Sequence, residues 1–220
     1  MPWFKQIQIT RLALLFAALL CTHTAQALEV VGDPASIDAA LTYGVQKQGQ
    51  GYRNLLGNNW REGERGSLLN IYTPFMQLAL KGYKSNIPVE HPTDDDIKQV
   101  RKTARRLISG LNDGLSKQRV RFVASLTGAT PDFAAGTRGV LEGYQHGSIV
   151  ALKPIETSGA PKAAALIEGA KAGEPGAYEA VLSFEFRFDD VANFDKYALQ
   201  LYNPNNNKRW AFQVRNIELK

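Results

Sequence analysis

From Arg119 onward the hydrophobic residues of this chain recur at every second position, and that period restricts the C-terminal half to strands. Val120, Phe122, Ala124 and Leu126 alternate with Arg119, Arg121, Val123 and Ser125, the pattern of a strand with one face buried. Ala180, Leu182, Phe184, Phe186 and Phe188 form the strongest such face, with Val181, Ser183, Glu185 and Arg187 between them. Tyr197, Leu199 and Leu201 predict another strand, Asn203 to Asn207 a turn, and Trp210, Phe212 and Val214 a last strand. The phase then shifts to Ile217 and Leu219, which predicts a β-bulge near Asn216. Ser148 to Lys153 is a shorter strand candidate, and the Ala/Gly/Pro-rich stretch 159–176 reads as a loop with one helical turn. Five or six short strands in about 100 residues predict an antiparallel sandwich or a partly open barrel.

The preceding region changes period. Ile37, Leu41 and Val45 lie four apart after an Asp33-Pro34 entry signal, which predicts a helix over 35–48. Residues 55–66 read as a polar loop carrying one large aromatic, Trp60, and Leu68 to Tyr72 as a short apolar strand. Thr73 followed by Pro74 is an N-cap with proline at the first helical position, and predicts a helix over 74–81. A longer helix is expected from Asp94. Thr93 caps it, three aspartates occupy its first turn, and Ile97, Val100, Ala104, Leu107 and Leu111 make its apolar face. The expected fold is therefore α+β. A mainly helical region over 28–116 packs with an antiparallel β domain over 117–220.

Residues 1–27 carry the layout of an export signal. Lys5 and Arg11 precede the nine-residue apolar run Leu12–Leu20, and Ala25-Gln26-Ala27 supplies the small residues of a cleavage site. Spanning a bilayer takes about 20 apolar residues, so this run is too short for an anchor. Cys21 follows Leu20, where a lipoprotein signal wants a small residue, so it reads as part of the apolar run. Cleavage near Ala27 is expected to place the mature chain in the periplasm or outside the cell. No other apolar run reaches membrane-spanning length.

The formal charge of +5 falls to +3 when Lys5 and Arg11 leave with the signal. A surplus that small, without a concentrated basic field, argues against nucleic acid as a partner. With one cysteine in the whole chain, neither a disulfide framework nor a cysteine metal site is expected. His91 and His146 have no companion ligands at metal spacing and read as loop residues. Asp94 to Asp96, and Asp189, Asp190 and Asp195, are acidic enough to interest calcium, but capping and a solvated turn account for them. No Gly-x-Ser-x-Gly elbow surrounds Ser148, and the glycines at 49–51 and 63–66 lack the strand-to-helix setting of a phosphate loop. No catalytic group, metal ligand or cofactor is assigned.

Two features are left for binding. Lys98, Arg101, Lys102, Arg105 and Arg106 put five cations on the polar face of the third helix, where they either meet an anionic partner or simply face water. Trp60 and Arg61, beside Glu62, Glu64 and Arg65, are either a packed anchor or a recognition loop. The expected function is an exported, non-enzymatic accessory or binding protein of the bacterial cell envelope, its partner an envelope protein or an anionic envelope surface. One alternative is an envelope-associated hydrolase of polysaccharide or lipid, using a carboxylate pair such as Glu62 with Glu64 or Glu142 with Glu156. Another is a carrier whose Phe184–Phe188 face lines a cavity for a small apolar ligand.

Overall fold

A computed structural model describes residues 31–63, 66–87, 92–112, 118–159, 163–194 and 196–215. The expected export signal, the bulge near Asn216, and the residues Glu64, Arg65, His91 and Asp195 lie outside the described residues.

Helix α1 (Pro34–Gln46) starts on Asp33, whose carboxylate accepts the Ala35 and Ser36 amides at 2.8 and 3.0 Å. Its buried stripe holds Ile37, Ala40, Leu41 and Val45. A five-residue helix α2 (Tyr52–Leu56) follows, then helix α3 (Pro74–Tyr83), where the Thr73 hydroxyl accepts the Met76 amide at 3.2 Å. α1 and α3 cross at two glycines. A Cβ on Gly44 would overlap the Ala79 carbonyl oxygen, and one on Gly82 would overlap that of Leu41. The backbones approach this closely only because both positions lack a side chain.

Helix α4 (Asp94–Thr103) opens with a complete capping box. The Asp96 amide donates to the Thr93 hydroxyl at 3.3 Å, and the Thr93 amide donates to the Asp96 carboxylate at 2.9 Å. The single helix expected to run through Leu111 is instead divided. It turns at Ala104 and continues as α5 (Arg105–Asn112). The Thr103 hydroxyl donates to the Val100 carbonyl at 2.7 Å, beside the Ala104 amide that donates to the same carbonyl at 2.9 Å.

The strands form two antiparallel sheets. In the larger, β1 (Trp60–Glu62), β2 (Leu68–Tyr72), β3 (Arg119–Gly128), β8 (Tyr178–Arg187) and β6 (Glu156–Ser158) lie in that order, and β7 (Ala165–Leu166) also pairs with β8. The smaller has the order β10 (Lys208–Arg215), β9 (Lys196–Asn203), β4 (Arg138–Gln145), β5 (Ser148–Leu152). The sheets face each other and stay open, so the architecture is an α+β fold with a β-sandwich. Along β3, Val120, Phe122, Ala124 and Leu126 all point into the core, as do Ala180, Leu182, Phe184 and Phe186 on β8. Phe122 stands edge-on to Phe186 at 5.5 Å and to Tyr197 of the opposite sheet at 5.8 Å.

Three further expectations are corrected. Residues 55–66 are not all loop, because 60–62 pair with 68–70 as β1. Buried Asn59 prepares that pairing, since its carbonyl accepts the Ile71 amide at 2.7 Å and its side chain donates to the Ile71 carbonyl at 3.3 Å. The strand face expected to end at Phe188 stops at Arg187. Phe188 opens a short helix, α6 (Phe188–Ala192), its amide donating to the Gln118 carbonyl at 3.0 Å while its ring stays buried. Within 159–176 the described residues contain turns and β7 rather than a helical turn, because 165–166 find open ladder positions beside 178–179.

The apolar residues divide into two clusters. One fills the space between the sheets, and the other, built from Leu41, Leu78, Val100 and Leu111 among others, holds the helices together. β1 and β2 belong to the larger sheet although they precede α3 in the chain.

Candidate binding cleft

A concavity lies where the helices meet the outer face of the larger sheet. Gln77 of α3 sets that junction by donating to the Tyr72 and Arg119 carbonyls at 3.2 and 2.9 Å. One amide side chain thus ties the helix to both β2 and β3. The resulting cleft encloses about 600 Å³.

One wall is aromatic. Tyr52 of α2 and Tyr72 of β2 are joined hydroxyl to hydroxyl, and Tyr52 also stands edge-on to Tyr83 at 6.3 Å. Burial pushes the Tyr52 phenol up from its ordinary value, and the hydrogen bond with Tyr72 adds to the effect, so it is a neutral hydroxyl at physiological pH. Leu80, Leu107 and Val123 supply aliphatic surface.

The polar lining is cationic. Lys81 and Lys84 come from the C-terminal end of α3, Arg106 from the first turn of α5, and Arg121 from the outer face of β3. Arg121 is committed to Glu185, its directly opposite neighbour on β8, with its Nε 2.6 Å from the carboxylate. Among the described residues no carboxylate pairs with Lys81, Lys84 or Arg106, and none lines the cleft. A second concavity of about 320 Å³ adjoins the first. It shares Lys81, Lys84 and Thr103 with it and extends past Ile87 and Val100.

The structure separates the residues that the sequence grouped as one basic face. Arg101 is taken up by Asp38 and the Pro34 carbonyl on α1. Lys98 pairs with Asp95, one turn earlier on its own helix, at 2.8 Å. Lys98, Arg101, Lys102 and Arg105 border a shallow groove of about 490 Å³ beside Ile108, whereas Arg106 turns into the main cleft. Trp60 is half-buried against the helical cluster, with the Arg53 guanidinium 4.8 Å from its ring centre, so it packs as an anchor. Arg61 beside it donates to the Asn58 and Trp60 carbonyls at 2.5 and 2.7 Å.

The other candidates have structural positions. Asp96 completes a helix cap, and Asp189 holds Arg187 at 2.7 Å. His146 and Gly147, both with positive φ, form the two-residue turn between β4 and β5. Glu142 and Glu156 are exposed on strands of different sheets. Phe184, Phe186 and Phe188 are core residues, and a Cβ on Gly139 of the facing strand would come within 2.6 Å of the Phe184 ring. Among the described residues, no helix is long and apolar enough to cross a membrane.

Sequence reasoning missed Tyr52, Tyr72, Lys81, Lys84 and Arg121 as members of one site. They come from four separate elements, and Arg106 joins them from α5. The pair Lys81 and Lys84, one turn apart beside the apolar Leu80, is the local signal that was present. Comparison of the chain with protein-family models and with curated proteins finds no match in either.

Proposed function

We propose that this protein is an exported, non-enzymatic binding protein of the bacterial cell envelope, and that the cleft between the helices and the larger sheet is where it holds an anionic ligand. One observation carries the reading: Lys81, Lys84 and Arg106 enter a single cleft without a carboxylate among the described lining residues. Lys81, Lys84 and Arg106 are exposed cations gathered at one partly apolar cleft, where together they create a positive potential that an anion relieves. The Tyr52–Tyr72 hydroxyl pair adds a hydrogen-bond donor to the cleft. Export rests on the layout of residues 1–27.

The test is titration of the protein, expressed from the full chain and recovered from the envelope fraction, with pyrophosphate and with citrate. Saturable binding that weakens as salt rises, and falls about tenfold or more in a Lys81→Ala/Lys84→Ala variant, is the expected result. A Lys98→Ala/Lys102→Ala variant should bind like the parent. Loss of binding in the second variant alone would move the site to the outer helix groove and overturn the assignment to the cleft. The recovered protein should begin at Leu28. Recovery from the cytoplasm with Met1 or Pro2 at its start would overturn export.

A further inference from the structure

We infer that the ligand of this cleft is a phosphate-bearing amphiphile, a charged head joined to an apolar portion of several carbons. The inference rests on the cleft being the binding site and goes on to say what class of molecule fits it.

The shape of the space is the first argument. The two adjoining concavities share Lys81, Lys84 and Thr103, so they form one elongated trough with the lysines at its waist. Apolar surface lies on both sides of that waist. Tyr72, Leu80 and Leu107 lie on one side and Ile87 on the other, all only half-buried. A bare inorganic anion would satisfy the cations but leave this surface in water. An apolar portion laid along the trough covers it, and each methylene removed from water tightens binding by about fourfold.

The arrangement of donors is the second argument. Lys81 and Lys84 are carried by the C-terminal end of α3 and Arg106 by α5, so the head meets cations from two separate elements. A phosphate monoester offers three acceptor oxygens and close to two negative charges, whereas a carboxylate offers two oxygens and one charge. The tyrosine pair contributes as well. Two hydroxyls that share one hydrogen bond leave one O–H proton over, and among the described residues Tyr52 and Tyr72 have no other hydroxyl partner.

Octyl phosphate below its micellar concentration, ethyl phosphate and octyl glucoside are the probes, titrated into the full protein by calorimetry and followed by amide shifts. Octyl phosphate should bind one to one and at least tenfold tighter than ethyl phosphate, with the largest shifts near Lys84 and Leu107. Octyl glucoside, which has the tail without the charge, should bind at least tenfold more weakly than octyl phosphate. Lys81→Ala/Lys84→Ala should weaken both phosphates, while Leu107→Ser should remove most of the octyl advantage and leave ethyl phosphate unchanged. Equal affinity for the two phosphates would overturn the amphiphile and leave the anion cleft standing. Failure of every phosphate, pyrophosphate included, would overturn both readings. Shifts centred on the exposed edge strand β5 would overturn the assignment to the trough. Vesicles of phosphatidylcholine with one-fifth phosphatidic acid identify the source. Capture lost in the double-lysine variant supports a membrane lipid head, and octyl phosphate binding without vesicle capture supports a free amphiphile.

Discussion

Arg101 on α4 reaches Asp38 on α1, its Nε donating to the carboxylate at 3.0 Å while its terminal nitrogen donates to the Pro34 carbonyl at 2.9 Å. One of the five cations of the basic helix face is therefore a brace between two helices. Arg101→Ala should cost about 1 kcal/mol, the value of a partly exposed ion pair with one further charged hydrogen bond. A double-mutant cycle with Asp38→Asn, read by urea denaturation at low and high salt, measures the coupling. Additive effects of the two substitutions would show that the pair does not hold the helices.

The crossing of α1 and α3 leaves no room at Gly82. Gly82→Ala forces the helices apart, and the expected loss is about 3 kcal/mol. A Cβ added to Gly110 of α5 would meet nothing within 4 Å, so the same substitution there gains the helix propensity of alanine. Gly110→Ala should stabilise by about 0.5–1 kcal/mol. Equal effects at the two positions, measured by thermal and urea unfolding, would refute the close crossing.

The hydrogen bonds from Thr93, side chain first and then backbone, hold the Asp96 carboxyl below its ordinary value. A carboxylate whose pKa is lower folded than unfolded contributes stability above the unfolded value, near 4, and loses it as pH falls through the folded value. The parent should therefore exceed Asp96→Asn in stability by a constant margin at neutral pH. Below about pH 4 the margin should shrink. A margin that stays level down to pH 2 would mean that the charged cap contributes nothing.

Tyr197 is buried between the sheets, and its hydroxyl has no hydrogen-bond partner among the described residues. Burial pushes its phenol up from the ordinary value, so the group stays neutral while still having lost its water. Tyr197→Phe keeps the ring contact with Phe122 and removes the stranded hydroxyl. A gain of about 1 kcal/mol is expected from denaturant unfolding. A loss of that size would show that the hydroxyl has a partner.

Much of the architecture was legible along the chain. The strands at 119–128, 178–187, 196–203 and 208–215 follow the period of two, and the caps at Thr73 and Thr93 mark the helix starts. The site was not legible in the same way. The basic residues at 98–106 lie close in sequence, yet Arg101 is taken up by Asp38 of another helix and Arg106 lines a different concavity from Lys98, Lys102 and Arg105. Short β1 was also hidden, since three residues carry no period and its ladder depends on Asn59 and β2.

By itself, the sequence determined which segments alternate, which helices are capped and which faces are apolar. These properties depend on residues within a few positions of one another. Lys98 and Arg187 pair with carboxylates two or three residues away, but the tertiary structure decided which cations are consumed by distant carboxylates and which remain unpaired. Arg121 is neutralised by a residue 64 positions away and Arg101 by one 63 positions away. Lys81, Lys84 and Arg106 remain in the cleft because the packing around α3 and α5 brings no described carboxylate to them. Charge compensation is a property of distance in space, and periodicity along the chain has no means of recording it.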